Sequence, residues 1–225
     1  MRGARSIRLG RTASTYVPCV GFTRLGGAAV VGYLLGTLPS ADLAARAATR
    51  GRTDLRLVGS GNPGAANAIR VLGPRWGYVV MGADIGKGAL AGRLGQRIAG
   101  SGDGAHLGAV AAVVGHCWPV WSGGRGGKGV ATSVGQCAVT FPAWSLADLA
   151  VAAATAASPR WKQRAFAATA VSSTAWVAAA VLWWRRQLPN AWGPPPTAAL
   201  PLAAAASSAV ILQRFRAAAA AEGRG

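Results

Sequence analysis

The sequence predicts an all-α membrane protein, a polytopic bundle of about seven transmembrane helices. Apolar residues make up 52% of the 225 residues and charged residues only 13%, about half the charged share of a typical soluble domain. A helix that spans a bilayer needs roughly 20 mainly apolar residues. Five stretches of about this length contain no Asp, Glu, Lys or Arg, and they are residues 25–41, 104–124, 129–147, 165–184 and 187–213.

The N-terminal part of the chain is basic. Residues 1–24 contain five arginines and no acid, and their apolar content is too weak for the core of a cleaved signal peptide. We expect a disordered basic leader over 1–24, followed by a first span over residues 25–45. Residues 46–75 hold six arginines against a single acid, so the positive-inside rule places this loop in the cytoplasm.

Two further spans follow. The second covers residues 76–98 and contains Asp84 and Lys87, which lie three apart on one helical face and can pair. A charged pair inside a membrane costs free energy, so we expect it to face the bundle interior or a water-filled cavity. The third span, residues 104–121, returns the chain to a basic loop over 122–128.

Residues 129–157 are interpreted as two short helices. The loops on either side are both basic, so the chain must cross twice, and Phe141-Pro142 supplies a break because proline removes a helix hydrogen bond. The last spans are residues 165–184 and 197–213. This topology puts the N-terminus outside and the C-terminus in the cytoplasm, with one membrane domain over 25–216 and a short tail over 217–225.

The first loop whose residues suggest a ligand site is residues 60–67, SGNPGAAN. Asn62 is a good helix N-cap and Pro63 a natural first helical residue. A helix that starts there directs free amides and its positive dipole end toward an anion. Asn67 and Arg70 share its face, and the Arg70 guanidinium suits phosphate. The alternative is a capped helix entrance with a solvated arginine.

The second loop, residues 122–132, reads SGGRGGKGVAT. Its five glycines surround Arg125 and Lys128, and glycine lets backbone amides approach an anion closely. Ser122 and Gly129 occupy positions that a Walker A loop requires for other residues, and no strand precedes the GxGxxG pattern. The alternative is a flexible basic loop that merely follows the positive-inside rule.

Both loops fall on the same predicted side of the membrane. Two potential anion sites at the interface, beside apolar walls in the bilayer, favour a substrate with a phosphate head and a fatty tail. A nucleic-acid ligand is disfavoured despite the net charge of +18, because the basic residues lie between spans and no aromatic residues interleave them. Anionic lipid headgroups account for such charge.

Four fragments occur in one order: SGNPGAAN at 60–67, D-x-x-K-G at 84–88, Gly115-His116 with Pro119, and GGKGVAT at 126–132. Together they resemble the bacterial acyl-phosphate:glycerol-3-phosphate acyltransferases, integral membrane enzymes of phospholipid synthesis. The resemblance implies seven helices in the bacterial inner (plasma) membrane and a site that faces the cytoplasm.

The resemblance implies transfer of a fatty acyl group from acyl-phosphate to the sn-1 hydroxyl of glycerol-3-phosphate. The products are lysophosphatidate and phosphate, and neither a metal nor another cofactor takes part. The substrate's own phosphate takes the proton. Acyl-phosphate, glycerol-3-phosphate and membrane lipid are the implied partners, with no nucleic acid.

Carried over position by position, the first loop holds phosphate and the second holds another phosphate or the developing oxyanion. The candidate catalytic residues are Ser60, Arg70 and Lys128; the candidate phosphate-binding residues are Gly61, Asn62, Asn67, Arg125, Gly126, Gly127 and Gly129; and the candidate supporting residues are Asp84, Lys87 and His116. For His116, packing beside Trp118 and Pro119 is the preferred role over proton transfer.

The chain departs from the family pattern near its C-terminus. The family carries a histidine, and an asparagine three residues on, in an arginine-containing helix, whereas residues 213–221 read QRFRAAAAA. Arg125 also stands where a lysine is common. Two alternatives therefore stay open beside the active acyltransferase: a catalytically weak or inactive relative that binds phosphorylated lipid, and a membrane transporter of such lipids or of anions.

Overall fold

The computed structural model describes residues 19–222, which form an all-helical bundle. Of the leader expected over residues 1–24, residues 1–18 lie outside the described part, and residues 19–24 are already helical. The helices of the described part are α1 (Cys19–Gly36), α2 (Ser40–Thr49), α3 (Ala65–Leu72), α4 (Pro74–Ala99), α5 (Gly102–Cys117), α6 (Val130–Thr140), α7 (Pro142–Ala157), α8 (Arg164–Arg186) and α9 (Ala199–Glu222).

The expectation of one continuous first span over residues 25–45 is wrong. α1 ends at Gly36 and α2 begins at Ser40, directly after Pro39. Proline has no amide hydrogen and its ring clashes with the preceding turn of a helix, so the chain breaks at this point. α2 has 10 residues, or about 15 Å of helix, which is half the thickness of a bilayer core.

Several other helix predictions are confirmed. α4 runs through Asp84 and Lys87 without interruption, and the break expected at Phe141-Pro142 separates α6 from α7. Two helix ends differ from the prediction. α5 ends at Cys117, before the expected end of the third span at residue 121, and a short 3-10 turn over Val120–Ser122 follows it. α9 continues to Glu222, past the expected span of 197–213 and into the residues assigned to a tail.

Glycines allow the central helices to pack backbone against backbone. A Cβ added to Gly32 of α1 would lie 2.1 Å from the Gly108 carbonyl oxygen of α5, and one added to Gly135 of α6 would lie 1.9 Å from the Ile85 oxygen of α4. Small residues at such crossings drive helix association in membranes, where packing replaces the hydrophobic effect. α1, α4, α5 and α6 accordingly form the centre of the bundle.

Short helices and the last helix pack onto this centre. α2 and α3 lie against α4 over an apolar cluster that includes Ala44, Leu55, Ala68 and Val80. α9 packs against the end of α5 through Val113, Cys117 and Ile211. The loop before α3 and the loop after α5 are therefore held at the same end of the bundle.

Two segments of the described chain are long and apolar enough to cross a membrane. They are Gly21–Thr49, with a mean hydropathy of 1.3, and Arg164–Arg186, with a mean hydropathy of 1.6. The first contains the break at Pro39.

Candidate active site

Cavity A is a cleft of about 190 Å³ where α1 and α5 end. Its walls come from the α1–α2 linker, from α2, from the loop before α3 and from the glycine loop after α5. Three of its wall residues are cationic, and one of the described residues that line it is acidic. An excess of positive charge in a concave site favours an anionic ligand. The ionisable wall residues are Asp42, Arg46, Arg56, Lys87 and His116.

Arg56 joins three parts of the cavity wall. Its Nη1 and Nη2 lie 2.6 and 3.0 Å from the two carboxylate oxygens of Asp42 on α2. Its Nε donates to the main-chain oxygen of Arg125 in the glycine loop at 2.9 Å. The hydrogen bond to Asp42 is the main cause that raises the pKa of Arg56 above its ordinary value. Arg56 therefore stays charged and ties the two loops together.

A buried ion cluster forms the floor beside the cavity. Lys87 Nζ lies 2.9 Å from Asp84 Oδ1 and donates to the Leu38 carbonyl at 3.2 Å. The Ser40 hydroxyl also donates to Asp84, and His116 Nδ1 lies 3.6 Å from Asp84 Oδ1. Buried charges must be paired to be tolerated. The predicted pairing of Asp84 with Lys87 is confirmed, and it fixes the Lys87 ammonium at the cavity wall.

The glycine loop uses its amides differently from the expectation. The Gly126 amide donates to the Cys117 oxygen at 3.2 Å, and the Gly127 amide donates to the His116 oxygen at 3.1 Å. Both amides are thus occupied by the end of α5. A Cβ at Gly127 would lie 2.2 Å from His116 Nε2. The glycine is required because the backbone lies directly against the imidazole, and this contact locates His116.

Arg214 of α9 holds the same loop from the other side. Its Nη2 and Nε donate to the oxygens of Gly126 and Gly127 at 2.7 and 3.1 Å. The guanidinium carbon lies 5.7 Å from the centroid of the Trp118 ring, a cation–π distance. A planar fork with two parallel donors fixes a peptide segment better than a single bond does. The loop is therefore clamped between α5 and α9.

Lys128 lies on the far side of the loop, in cavity B. This cavity of about 370 Å³ lies between the starts of α6 and α8 and the end of α9. Lys128 Nζ lies 4.4 Å from the centroid of the Phe215 ring, which in turn packs edge-on against Phe166. Cations and apolar groups share the wall, as an amphiphilic anion requires. The wall residues are Lys128, Gln163, Arg164, Ala165, Phe166, Phe215, Arg216, Ala218 and Ala219.

The first loop is organised by Asn67. Its Nδ2 donates to the oxygens of Leu55 and Val58 at 2.9 and 3.0 Å, and its Oδ1 accepts from the Ser60 amide at 2.9 Å. The side chain is buried. Asn67 was predicted to bind phosphate, but its amide is engaged by the loop itself, so its place in the structure is that of a loop-shaping residue.

The predicted helix start at Pro63 is wrong. The Gly64 amide donates to the Asn62 oxygen in a tight turn, and α3 begins at Ala65 with extended Gly64 before it. Asn62 therefore does not cap α3. Pro63 lines cavity A, whereas Ser60 and Gly61 are exposed beside it.

Arg70 and Arg125 lie outside the walls of both cavities. Both residues are exposed, Arg70 on α3 and Arg125 in the glycine loop. Gly129 is buried against Cys117 and Ile211 and carries a positive φ of 87° just before α6. The structure thus brings Lys87, His116, Gly126 and Gly127 together around cavity A, and it places Lys128 behind them.

Sequence reasoning missed the residues that supply most of the charge in cavity A, Asp42, Arg46 and Arg56. Asp42 fell inside the expected first span, and the two arginines were attributed to a cytoplasmic loop by the positive-inside rule, which explains arginines without giving them a partner. The one available signal was Pro39, since a proline inside an apolar run marks a helix end and a candidate wall. Within residues 19–222 no group of three His, Cys, Asp or Glu side chains is placed to hold a metal ion.

Comparisons with known proteins identify the family of the chain. The family model described as "Glycerol-3-phosphate acyltransferase" matches residues 27–221. The "Glycerol-3-phosphate acyltransferase 4" of Dehalococcoides mccartyi is 47% identical over 106 residues, 47% of this chain and 56% of that relative. The glycerol-3-phosphate acyltransferase of Symbiobacterium thermophilum is 41% identical over 133 residues, 59% of this chain and 65% of the relative. The chain thus aligns with between half and two thirds of the length of these relatives.

Solved structures match over more of the chain. The glycerol 3-phosphate form of PlsY (YgiH), an integral membrane glycerol 3-phosphate acyltransferase, superposes with a TM-score of 0.67 at 27% identity and covers 86% of this chain and 88% of PlsY. The lysophosphatidic acid form gives a TM-score of 0.65 at 26% identity over the same shares. The helical bundle is therefore similar to that of an integral membrane protein, PlsY. From the family model and these structures, the chain belongs to the glycerol-3-phosphate acyltransferase family.

Proposed function

We propose that the protein transfers a fatty acyl group from acyl-phosphate to the sn-1 hydroxyl of glycerol-3-phosphate and so makes lysophosphatidate and inorganic phosphate for phospholipid synthesis. The observation that carries this proposal is cavity A, where Arg46, Arg56 and Lys87 are the cations in the wall of a small cleft. The PlsY structures that the fold resembles are the glycerol 3-phosphate and lysophosphatidic acid forms.

Cavity A suits the acceptor substrate. Its volume fits a small phosphorylated polyol, and its three cations supply the charge-assisted hydrogen bonds that hold phosphate. Pro63 lines the cavity. The three residues directly before it remain candidate contacts for the same phosphate, namely Ser60, Gly61 and Asn62. Arg70 remains a candidate for longer-range attraction of the anion, because it is exposed nearby on α3.

Cavity B suits the acyl donor. Lys128, Arg164 and Arg216 offer positive charge to a phosphate, and Phe166, Phe215 and three alanines offer an apolar wall to the chain. Gly127 and Lys128 are consecutive, so the two cavities meet across one peptide. A donor phosphate at Lys128 therefore brings its acyl carbon toward a hydroxyl bound in cavity A, and such placement is a large part of catalysis.

The proposed reaction needs no protein nucleophile. The sn-1 oxygen bonds to the acyl carbon, the bond from that carbon to the phosphate oxygen breaks, and the hydroxyl proton passes to the phosphate of glycerol-3-phosphate. Lys128 stabilises the negative charge on the tetrahedral intermediate and the leaving phosphate. Donors fixed at a developing charge contribute about 3–4 kcal/mol each. His116, held by Asp84 and Gly127, keeps the loop and the cavity wall in place.

We further propose seven membrane helices, namely α1 and α4 to α9, in the bacterial inner membrane with the site toward the cytoplasm. α2 and α3 are left out because they are short, with 10 and 8 residues, and lie against α4. α6 is also short, with 11 residues, but it packs against α4 and α5 in the centre of the bundle. Basic residues also cluster in the loops beside cavities A and B. An odd number of crossings then leaves the N-terminus outside and the C-terminus inside.

The test is an assay of the full chain in phospholipid vesicles with palmitoyl-phosphate and glycerol-3-phosphate. We expect lysophosphatidate and phosphate in equal amounts, and no product when palmitoyl-coenzyme A replaces palmitoyl-phosphate. Growth of a bacterial strain that lacks its own acyltransferase provides the same test in cells. Absence of product from palmitoyl-phosphate contradicts the proposal.

One observation favours a second candidate, a non-catalytic binder of phosphorylated lipid. Phe215 and Ala218 line cavity B together with Lys128. Both belong to residues 213–221, where the family pattern has a histidine and an asparagine. The Lys128 ammonium faces an aromatic ring there. Retained binding of lysophosphatidate without phosphate release would support this candidate over the enzyme.

A further inference from the structure

Asp42 occupies the part of Arg56 that a phosphate would use. Each carboxylate oxygen of Asp42 meets one terminal nitrogen of the guanidinium, at 2.6 and 3.0 Å. This is the two-pronged geometry in which arginine recognises carboxylate or phosphate. Asp42 therefore takes the place of a bound anion on Arg56, one of the three cations of cavity A.

Little of the guanidinium remains for a ligand. An arginine side chain has five N–H donors. Two are used by Asp42, one by Asp54 at 3.4 Å and one by the Arg125 oxygen at 2.9 Å. The fifth alone cannot hold a phosphate in the same two-pronged way. An incoming phosphate must displace Asp42 to use the terminal nitrogens.

Asp42 also lines the cavity that the ligand enters. Among the described residues in its wall it is the one carboxylate, beside Arg46, Arg56 and Lys87. Its side chain is 25% exposed and that of Arg56 16%, so the pair is accessible from the cleft. A carboxylate in this position repels an anion as well as competing with it for Arg56.

We infer that Asp42 is a specificity-determining residue, an internal competitor that a phosphate monoester must displace from Arg56 to bind in cavity A. A phosphate dianion carries more charge than a carboxylate or a phosphodiester and replaces Asp42 more readily. The residue thus selects phosphate monoesters over singly charged anions. This inference rests on the proposed role of cavity A as the acceptor site.

The experiment measures binding, so that it does not depend on turnover. Inorganic phosphate and glycerol-3-phosphate are titrated by calorimetry into the detergent-solubilised full chain at a pH where both are dianions. Asp42→Asn keeps the size of the side chain and removes its charge. We expect Kd for both ligands to fall about two- to fivefold, the range for a partly exposed ion pair.

Asp103→Asn is the matched control. Asp103 is at the opposite end of α5 from His116 and accepts a hydrogen bond from Thr197, so its loss changes net charge equally without touching cavity A. Kd should stay as in the parent protein. If Asp42 instead serves to position Arg56, Asp42→Asn weakens binding, and an unchanged or raised Kd overturns the inference.

A double variant separates displacement from general repulsion. In an Arg56→Ala background, Asp42→Asn should give no gain in affinity, because no guanidinium is left to release. A gain that persists there would mean that Asp42 acts only as a repelling charge, and it would overturn the competition at Arg56. Asp42→Ser serves as the second variant if Asp42→Asn lowers the unfolding temperature.

A failure of this inference can be distinguished from a failure of the proposed function. A parent protein that binds glycerol-3-phosphate but releases no phosphate from palmitoyl-phosphate contradicts the enzyme and leaves the calorimetric comparison intact. An active parent protein whose Asp42→Asn variant shows no fall in Kd contradicts the inference alone.

Discussion

Cavities A and B lie on opposite sides of one glycine loop and are built in different ways. In cavity A two of the three cations are paired with carboxylates, Arg56 with Asp42 and Lys87 with Asp84. In cavity B the cations lie among aromatic rings and alanines, and Lys128 faces Phe215. No acidic residue lines cavity B among the described residues. Pre-paired charges select a ligand, whereas cations in an apolar wall accept many amphiphilic anions.

The largest effect is expected in cavity B. Lys128→Ala removes the cation nearest the proposed leaving phosphate and should lower turnover about 10²- to 10³-fold. Lys162→Ala, at an exposed residue between α7 and α8, is the matched control and should keep parent activity. The readout is phosphate release in vesicles. If both variants keep parent rates, cavity B has no part in the chemistry.

The second largest effect is expected at cavity A, where substitutions of two arginines should differ in their consequences. Arg56→Ala removes a cavity wall cation that also holds the glycine loop, and we expect kcat/KM for glycerol-3-phosphate to fall about 30- to 100-fold. Arg70→Ala removes an exposed cation outside the cavity wall and should change it less than about threefold. A larger loss at Arg70 would restore the sequence-based site and contradict the geometry.

A smaller effect on turnover is expected from a substitution in the glycine loop, which separates the two cavities. Gly127→Ala places a methyl group against His116 Nε2, so the ring or the loop must move, and turnover should fall about tenfold. Gly82→Ala is the control, because a Cβ there meets no atom within 4 Å and the site is mid-helix. It should be neutral or slightly stabilising. Equal activity of the two variants would show that the His116 contact is unimportant.

The smallest effect concerns the clamp from α9. Arg214→Lys keeps the charge but cannot make both hydrogen bonds to the glycine loop, so kcat should fall about three- to fivefold. KM for glycerol-3-phosphate should change less, because Arg214 lies outside cavity A. Arg185→Lys, at the exposed end of α8, provides the control. A change in KM alone would assign Arg214 to substrate binding instead.

The helices could be predicted where one local rule decides them. The pairing of Asp84 with Lys87 follows from helical spacing, and the break before Pro142 follows from proline chemistry. The break before Pro39 obeys the same rule. It was missed because the apolar residues continue on both sides and suggest one uninterrupted span.

The site could be predicted only in outline. Motif order indicated that the two loops belong together, and the Arg56–Arg125 contact joins them. The sequence could not show which backbone amides remain available to a ligand. The amides of Gly126 and Gly127 donate hydrogen bonds to the end of α5 instead. The role of Arg214 was equally hidden, since it depends on how α9 crosses α5 and on no local pattern.

The Arg214 clamp has a consequence for biosynthesis. The arginine follows Gly127 by 87 residues, so the ribosome finishes the glycine loop long before the group that fixes its carbonyls exists. Domains fold as the chain emerges, N-terminal parts first. A nascent chain that ends after α6 therefore has the glycine loop without the side chain that holds its carbonyls, and the clamp is complete only when α9 has packed against α5.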